Sequence, residues 1–301
     1  MPLTLTRETL LRERTTLRLG GPALAEAVVS CAAGLDELAK LLPGLGGRPL
    51  ALGAGSNILA ADGPHALVLV RAANNTAPQM SPQANGPTAR TLVRAGAGLR
   101  LPRLLGLCQR VGLTGLEALT GVPGCTGGCV AMNAGSYGVE LGALVTRVRL
   151  WTPQGGLAWR DAADCAFGYR HFDPNLNAEF WLVWEVELAL EMDEPAAIRA
   201  RMEATYARKK ATQPVTAKSA GCVFKNPAGA PAGMGAGRLL DEAGMRGQRL
   251  GGMAFSSVHA NFLVNESQGS AAQALELMDL GRRAVRGRFG LDLETEVQVL
   301  P

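Results

Sequence analysis

The stretch from Gly121 to Gly138, GVPGCTGGCVAMNAGSYG, holds six glycines and one proline in eighteen residues and carries no charged side chain. Such a segment resists regular structure, because glycine loses more conformational freedom on folding than any other residue. What bare backbone does well is approach something closely, either another main chain or a ligand. Apolar segments bracket the run, which points to backbone wrapped around a ligand; the plain alternative is an irregular surface loop. Regular elements are therefore expected on either side of residues 121–138 and not through them.

They are readable there. Strand patterns cover 25–30, 48–52, 66–71, 91–95, 145–151 and 180–191, and helical patterns cover 34–42 and 101–111. Residues 72–89, rich in Asn, Pro and Gln, read as a loop or a hairpin tip. Composition shifts after Pro195. A charged helix at 196–210 follows, then helices at 237–243 and 270–286, an apolar segment at 261–264 and a last strand at 291–299. With 301 residues, too many for one small core, this predicts an α+β chain. The expected boundary between its parts lies near residue 195.

Several classes of function are disfavoured. A net charge of +4, with no basic run interleaved with aromatics, gives no reason to expect a nucleic-acid partner. No window approaches the roughly 18 apolar residues of a membrane span. Arg7, Glu8, Arg12, Glu13 and Arg14 stand where a signal peptide needs an apolar core, so a cytoplasmic protein is expected. Six cysteines without a CxxC, and three histidines none of which adjoins a cysteine, predict reduced thiols and no metal site.

Four further segments could carry chemistry. LGAGSNILAA, Leu52 to Ala61, follows a strand and offers backbone N–H groups to an anion. It lacks the third glycine of a dinucleotide fingerprint, with Ile58 in its place, and a plain tight turn is the alternative. In FGYRHF, Arg170 sits between aromatics, either aimed at a carboxylate or stacked on Tyr169. In SAGCVFKNP, Cys222 is flanked by Lys218 and Lys225 and is either an acidified thiol or an inert buried one. In LETEVQVL, Glu296 alternates with apolar residues in a presumptive strand and can face either side.

These segments occur together and in this order, along with TTLRLGGPA at 15–23 and AGRLLDEAGMRGQRLGGMAFSSVHANFLVNE at 236–266. The set resembles the UDP-N-acetylenolpyruvoylglucosamine reductase family over nearly the whole chain. The resemblance implies a vanillyl-alcohol-oxidase-type FAD-binding domain in two lobes, 1–71 and 72–195, followed by an α+β substrate domain at 196–301. It implies non-covalent FAD, NADPH as hydride donor, and reduction of UDP-N-acetylglucosamine enolpyruvate to UDP-N-acetylmuramate in peptidoglycan precursor synthesis, by a monomer. It places FAD contacts at Gly53, Ala54, Gly55, Ser56, Asn57, Ile58, Gly121, Pro123, Gly124, Thr126, Gly127, Gly128, Asn133 and Gly135. Arg170, Cys222 and Glu296 match the catalytic positions, and Tyr169, Lys225, Asn226, Arg246 and His259 the substrate contacts.

The chain departs from the family pattern in three places. Cys222 replaces the commoner serine, Arg246 the commoner lysine, and Thr212 a basic residue for which Lys209 or Lys210 could substitute. The short chain suits the compact subtype, without longer substrate-capping insertions. A flavin oxidase of the same fold acting on an alcohol or sugar is the rival enzyme reading. A nucleotide-sugar binder without flavin is the rival non-enzyme reading.

Overall fold

The computed structural model describes residues 1–82 and 90–301. The tip of the 72–89 segment, residues 83–89, lies outside the described residues. The flanking strands Gln79–Pro82 and Arg90–Gly96 pair antiparallel, Gln79 opposite Arg94. The chain divides into two compact units. The first contains residues 1–8, 24–54 and 66–207, and the second residues 9–23, 55–65 and 208–301.

The first unit is built on two sheets. One has four strands in the order Leu3–Leu10, Pro22–Val29, His65–Ala72, Arg48–Ala51, the last two being parallel. The other is antiparallel and centred on Leu182–Met192, which pairs with Val145–Thr152 on one side and Arg90–Gly96 on the other. Register slips between Arg149 and Leu150, leaving Trp184 as an extra residue opposite that pair. Such a bulge reverses which face alternate side chains reach. Leu182 and Trp184 accordingly pack into a core with helix α1 (Ala32–Leu41), whereas Val186, Leu188 and Leu190 pack into a second core with α2 (Leu101–Arg110). Helix α2 places Leu101, Leu104, Leu105 and Cys108 inward at the spacing of one helical face, with proline in its first turn. A single short helix, α3 (Thr126–Ala131), forms inside the glycine-rich run.

Helix α4 (Pro195–Thr212) begins in the first unit. The second unit has a four-stranded antiparallel sheet, in the order Ser219–Cys222, Phe262–Asn265, Met253–Phe255, Arg249–Leu250. Helices α5 (Ala236–Glu242) and α6 (Ala271–Phe289) complete it. Ser270 and Gln273 form a capping box at the start of α6, and Gly290 ends the helix with φ +69°. Leu17, Leu19 and Leu59 from the early segments share one core with Phe224, Leu240, Phe255 and Leu277. Strand Ile58–Ala60 pairs in parallel with Gln298–Leu300.

Two expectations change. Residues 9–23 and 55–65, expected in the first lobe, belong to the second unit, and the late division falls between 207 and 208 rather than at 195. The strand expected at 291–299 is reduced to Gln298–Leu300 and a lone bridge between Thr295 and Phe224, because residues 294–297 pair with the irregular continuation of Ser219–Cys222. The Asn265 side chain likewise spends its bonds on loop backbone, donating to Leu17 O at 3.1 Å and accepting from Gly269 N.

Of the two lysines that could stand in for a basic residue at 212, Lys209 is buried, 2% exposed, while Lys210 faces solvent, as does Lys218 of the Cys222 segment. Burial pulls the Lys209 ammonium down to about 8. The unfolded chain therefore holds more protons than the fold between about pH 8 and the ordinary lysine value, and stability rises with pH across that window. Lys209→Met should flatten the rise. Urea unfolding at pH 7, 8 and 9.5 checks both the sign and the window.

Candidate active site

In the first unit the two glycine loops meet. A side chain at Gly53 would put its first carbon 2.7 Å from Cys125 Sγ and 3.8 Å from Gly128 Cα. The first loop is anchored by Leu52 N donating to Val70 O at 2.9 Å. The second is anchored where Thr126 N and Oγ1 both donate to Leu99 O, and Gly127 N to Ala97 O. These bonds occupy Thr126, and Gly127 packs directly on Ala97. Gly128 differs: Cys125 Sγ, at 3.8 Å, is the one atom near where its side chain would start. Gly124 has φ +138° and its carbonyl accepts from Leu101 N. Upstream, Thr120 (φ −56°, ψ 132°) and Gly121 (φ +82°) form a type II turn closed by Val122 N to Leu119 O, which requires glycine at 121. Pro123 follows it. The Thr120 hydroxyl is buried without a hydrogen-bond partner in the protein.

Asn133 has its own work. Its Nδ2 donates to Glu140 Oε2 and Gly168 O, both at 2.9 Å, and its Oδ1 accepts from Gly142 N. The side chain thus ties the hairpin Gly135–Glu140 to the hairpin Ala166–Asp173. At the tip of the second hairpin, Arg170 sits in left-handed backbone, φ +54°. That conformation strains a bulky residue and persists only where the surroundings hold it. Its Nη2 donates to Gly135 O at 3.2 Å, and its Cζ lies 5.1 Å from the ring centre of Tyr169, itself about half exposed. Stacking on Tyr169, one of the two readings of the motif, is present, together with a bond to the neighbouring hairpin's main chain.

In the second unit, Gly55 (φ +64°) takes its glycine for a packing reason, since a side chain there would meet Arg14 O. Ser56 is half-buried and Ile58 begins the buried strand. Asn57 reaches the C-terminal segment: Nδ2 donates to Glu296 O at 3.1 Å and its carbonyl accepts from Gln298 N at 3.0 Å. Glu296 N donates to Val223 O at 2.8 Å, so Cys222 and Glu296 lie on hydrogen-bonded neighbouring segments, both half-buried. Phe224 beyond them is bridged at N and O by the buried Asn261 amide.

The expected substrate contacts divide. Lys225 pairs with exposed Glu294 at 2.5 Å. Asn226 caps α5 by accepting from Ala236 N, and Arg246 braces Asp241 through Nε and Nη2 while donating from Nη1 to Ser257 O and Val258 O. Asn226 and Arg246, like Lys225, thus each hold a protein partner. His259 packs on Gly237 and accepts from Asn261 N through Nδ1. Burial, then the Arg246 charge, hold it below the ordinary histidine range, so its ring is neutral at pH 7. Among the described residues no helix is long and apolar enough to cross a membrane, and no cluster of His, Cys, Asp and Glu is fit to hold a metal ion.

Comparison with known proteins fits this geometry. Residues 27–159 match the FAD-binding domain model, and the fold with its paired glycine loops defines an FAD-dependent oxidoreductase. Residues 213–300 match the UDP-N-acetylenolpyruvoylglucosamine reductase C-terminal domain. The reductase of that name from Nitratidesulfovibrio vulgaris is 51% identical over 291 residues, 96% of each chain. That of Oleidesulfovibrio alaskensis is 48% identical over 97% of this chain and 96% of its own. The crystal structure of the Thermus caldophilus enzyme superposes with a TM-score of 0.81 at 33% identity, covering 99% of this chain and all of that one. The chain belongs to the UDP-N-acetylenolpyruvoylglucosamine reductase family.

The residues present fit FAD. Gly53 and Gly128 leave bare main chain facing bare main chain, and the buried Thr120 hydroxyl, on the turn leading into the second loop, has no partner in the protein. Gly128→Val separates a ligand cradle from a packing glycine, because the added carbons meet almost nothing in the protein itself. The expected outcome is a variant with normal circular dichroism and melting that purifies with little flavin absorbance. Full flavin occupancy would remove Gly128 from the cradle.

Proposed function

We propose that this chain reduces UDP-N-acetylglucosamine enolpyruvate to UDP-N-acetylmuramate with NADPH, as a cytoplasmic monomer supplying peptidoglycan precursors. FAD is held without a covalent bond by main chain around Gly53, Gly121, Gly124 and Gly128. When bound, it supplies two-electron chemistry, accepting hydride from NADPH and giving hydride to the vinyl carbon. The chain's own residues manage charge and protons. Arg170, locked in its hairpin tip, meets the substrate carboxylate as negative charge spreads onto it. Glu296 holds the enol form, and Cys222 gives the proton that completes the lactyl ether. Tyr169, Lys225, Asn226, Arg246 and His259 line the substrate side. The observation that supports this reading most is the pairing of segments 222–225 and 294–297, which sets an acid and a carboxylate on adjacent backbone.

An ordinary thiol has a pKa of about 8.5, so it is a far stronger acid than a serine hydroxyl and is still protonated at neutral pH. Arg170→Ala should leave NADPH bleaching of the flavin band intact and slow its recovery with the enolpyruvyl substrate by about 10²–10³. Stopped-flow absorbance measures the two halves separately, and normal recovery would take Arg170 out of the mechanism. Cys222→Ser should stay active. Cys222→Ala should accept electrons from NADPH but stall before protonation, and only the native enzyme should be inactivated by thiol alkylation in a substrate-protectable way. An alanine variant with an unchanged second half would hand the proton to another donor.

A further inference from the structure

Glu117 is a buried carboxylate that the proposed chemistry does not use. Its side chain is 11% exposed, in a chain whose other acids mostly face water. It lies at the start of the short 3-10 turn Glu117–Leu119, which runs directly into the type II turn at 119–122. Oε1 accepts from Thr114 Oγ1 at 2.7 Å and from Arg201 Nη2 and Nε at 2.7 and 3.1 Å, and Oε2 accepts from Gly115 N at 2.7 Å. Arg201, on α4, also donates from Nη2 to Thr114 Oγ1 and to Asp193 Oδ2 at 2.6 Å. Burial alone would push the carboxyl up, but the bonds from Thr114 and Arg201 outweigh it and hold Glu117 below the ordinary range, ionised at neutral pH. Cys108 on α2 feels that charge, which adds to the burial that keeps its thiol protonated.

Such an arrangement costs desolvation of a charge and is not needed to close the core beside it, where Leu116 and Leu119 are already buried. What it does achieve is positional. The carboxylate fixes Thr114, Gly115 and its own backbone to one guanidinium, and the next carbonyls in line, Glu117 O and Leu119 O, are the acceptors for Thr120 N and Val122 N. We propose that the Glu117–Arg201 pair is the positioning latch of the FAD cradle, setting where the 119–124 main chain stands relative to the bound flavin nucleotide. Neither residue touches the ligand. This rests on the flavoprotein reading above.

Titration of the purified apoprotein with FAD, followed by flavin fluorescence and absorbance, tests it. Arg201→Ala leaves Thr114 and Gly115 to hold Glu117, and should fold normally while binding FAD about tenfold to a hundredfold more weakly, the scale known for groups that orient metal ligands. Its flavin spectrum should lose the band shape of the wild type, and Arg201→Lys should restore part of both. Glu117→Gln should behave like Arg201→Ala, and the double variant should be no worse than either single one, because the two act as one unit. Unchanged FAD affinity and spectrum in Arg201→Ala, with only a lowered melting temperature, would reduce the pair to a structural brace and overturn the proposal. Failure of the wild-type apoprotein itself to bind FAD would overturn the flavoprotein reading instead.

Discussion

Everything in the first unit is arranged around one close approach, main chain to main chain, at Gly53. Two loops from distant parts of the sequence come together there with a single sulfur atom between them. Neither could do so with a side chain at position 53, and neither would stay without anchors. Val70, on an inner strand of one sheet, holds the first loop, and Ala97 and Leu99, just past strand Arg90–Gly96 of the other, hold the second. The sheets act as the rigid ground on which two otherwise shapeless segments keep a fixed separation. The bulge at Trp184 belongs to the same design, since it lets one central strand serve the cores on both sides.

The second unit solves a different problem by similar means. Cys222 and Glu296 are set by backbone bonds, and the side chains that hold those backbones are amides: Asn57 on Glu296 and Asn261 on Phe224. A buried amide with its donors and acceptors used is rigid and uncharged, so it fixes geometry without adding to the local field. Charge near the thiol is then left to the residues that need it.

The sequence was most informative where one periodicity ran long enough to outvote its neighbours. Helix α2 shows its buried face in the spacing of Leu101, Leu104, Leu105 and Cys108, and α6 shows its start in Ser270 and Gln273. The glycine-rich run reads as a loop by composition, yet helix Thr126–Ala131 and the short strand Gly135–Ser136 form inside it, and its packing partner at Gly53 is not legible because close approach leaves no pattern in either segment alone. The N-terminal strand Leu3–Leu10 is not legible in the sequence, because five consecutive exposed residues, Thr4 to Glu8, leave no alternation to read. The last strand is shorter than its alternation predicts, since Leu291 to Val299 alternates but its 294–297 part pairs with irregular backbone. Asn226 and Arg246 mark a further limit. A motif carries the residue type, whereas whether an amide caps a helix or a guanidinium braces an aspartate depends on neighbours far along the chain. Glu117 gave no signal at all, because a lone acid in an apolar stretch looks the same whether solvated or latched.

The chain passes between the two units at five points, and the second unit collects its core from three separate stretches. This orders events during synthesis. Residues 9–23 and 55–65 emerge early but have no partner until the sheet and helices after residue 208 exist, and Ile58–Ala60 waits for Gln298–Leu300, some 240 residues later. The first unit has nearly all its strands by residue 192 and can condense while the early segments are still unpaired. The second can only close last, so its exposed apolar residues, Leu17, Leu19 and Leu59 among them, are the part of the nascent chain most in need of a chaperone.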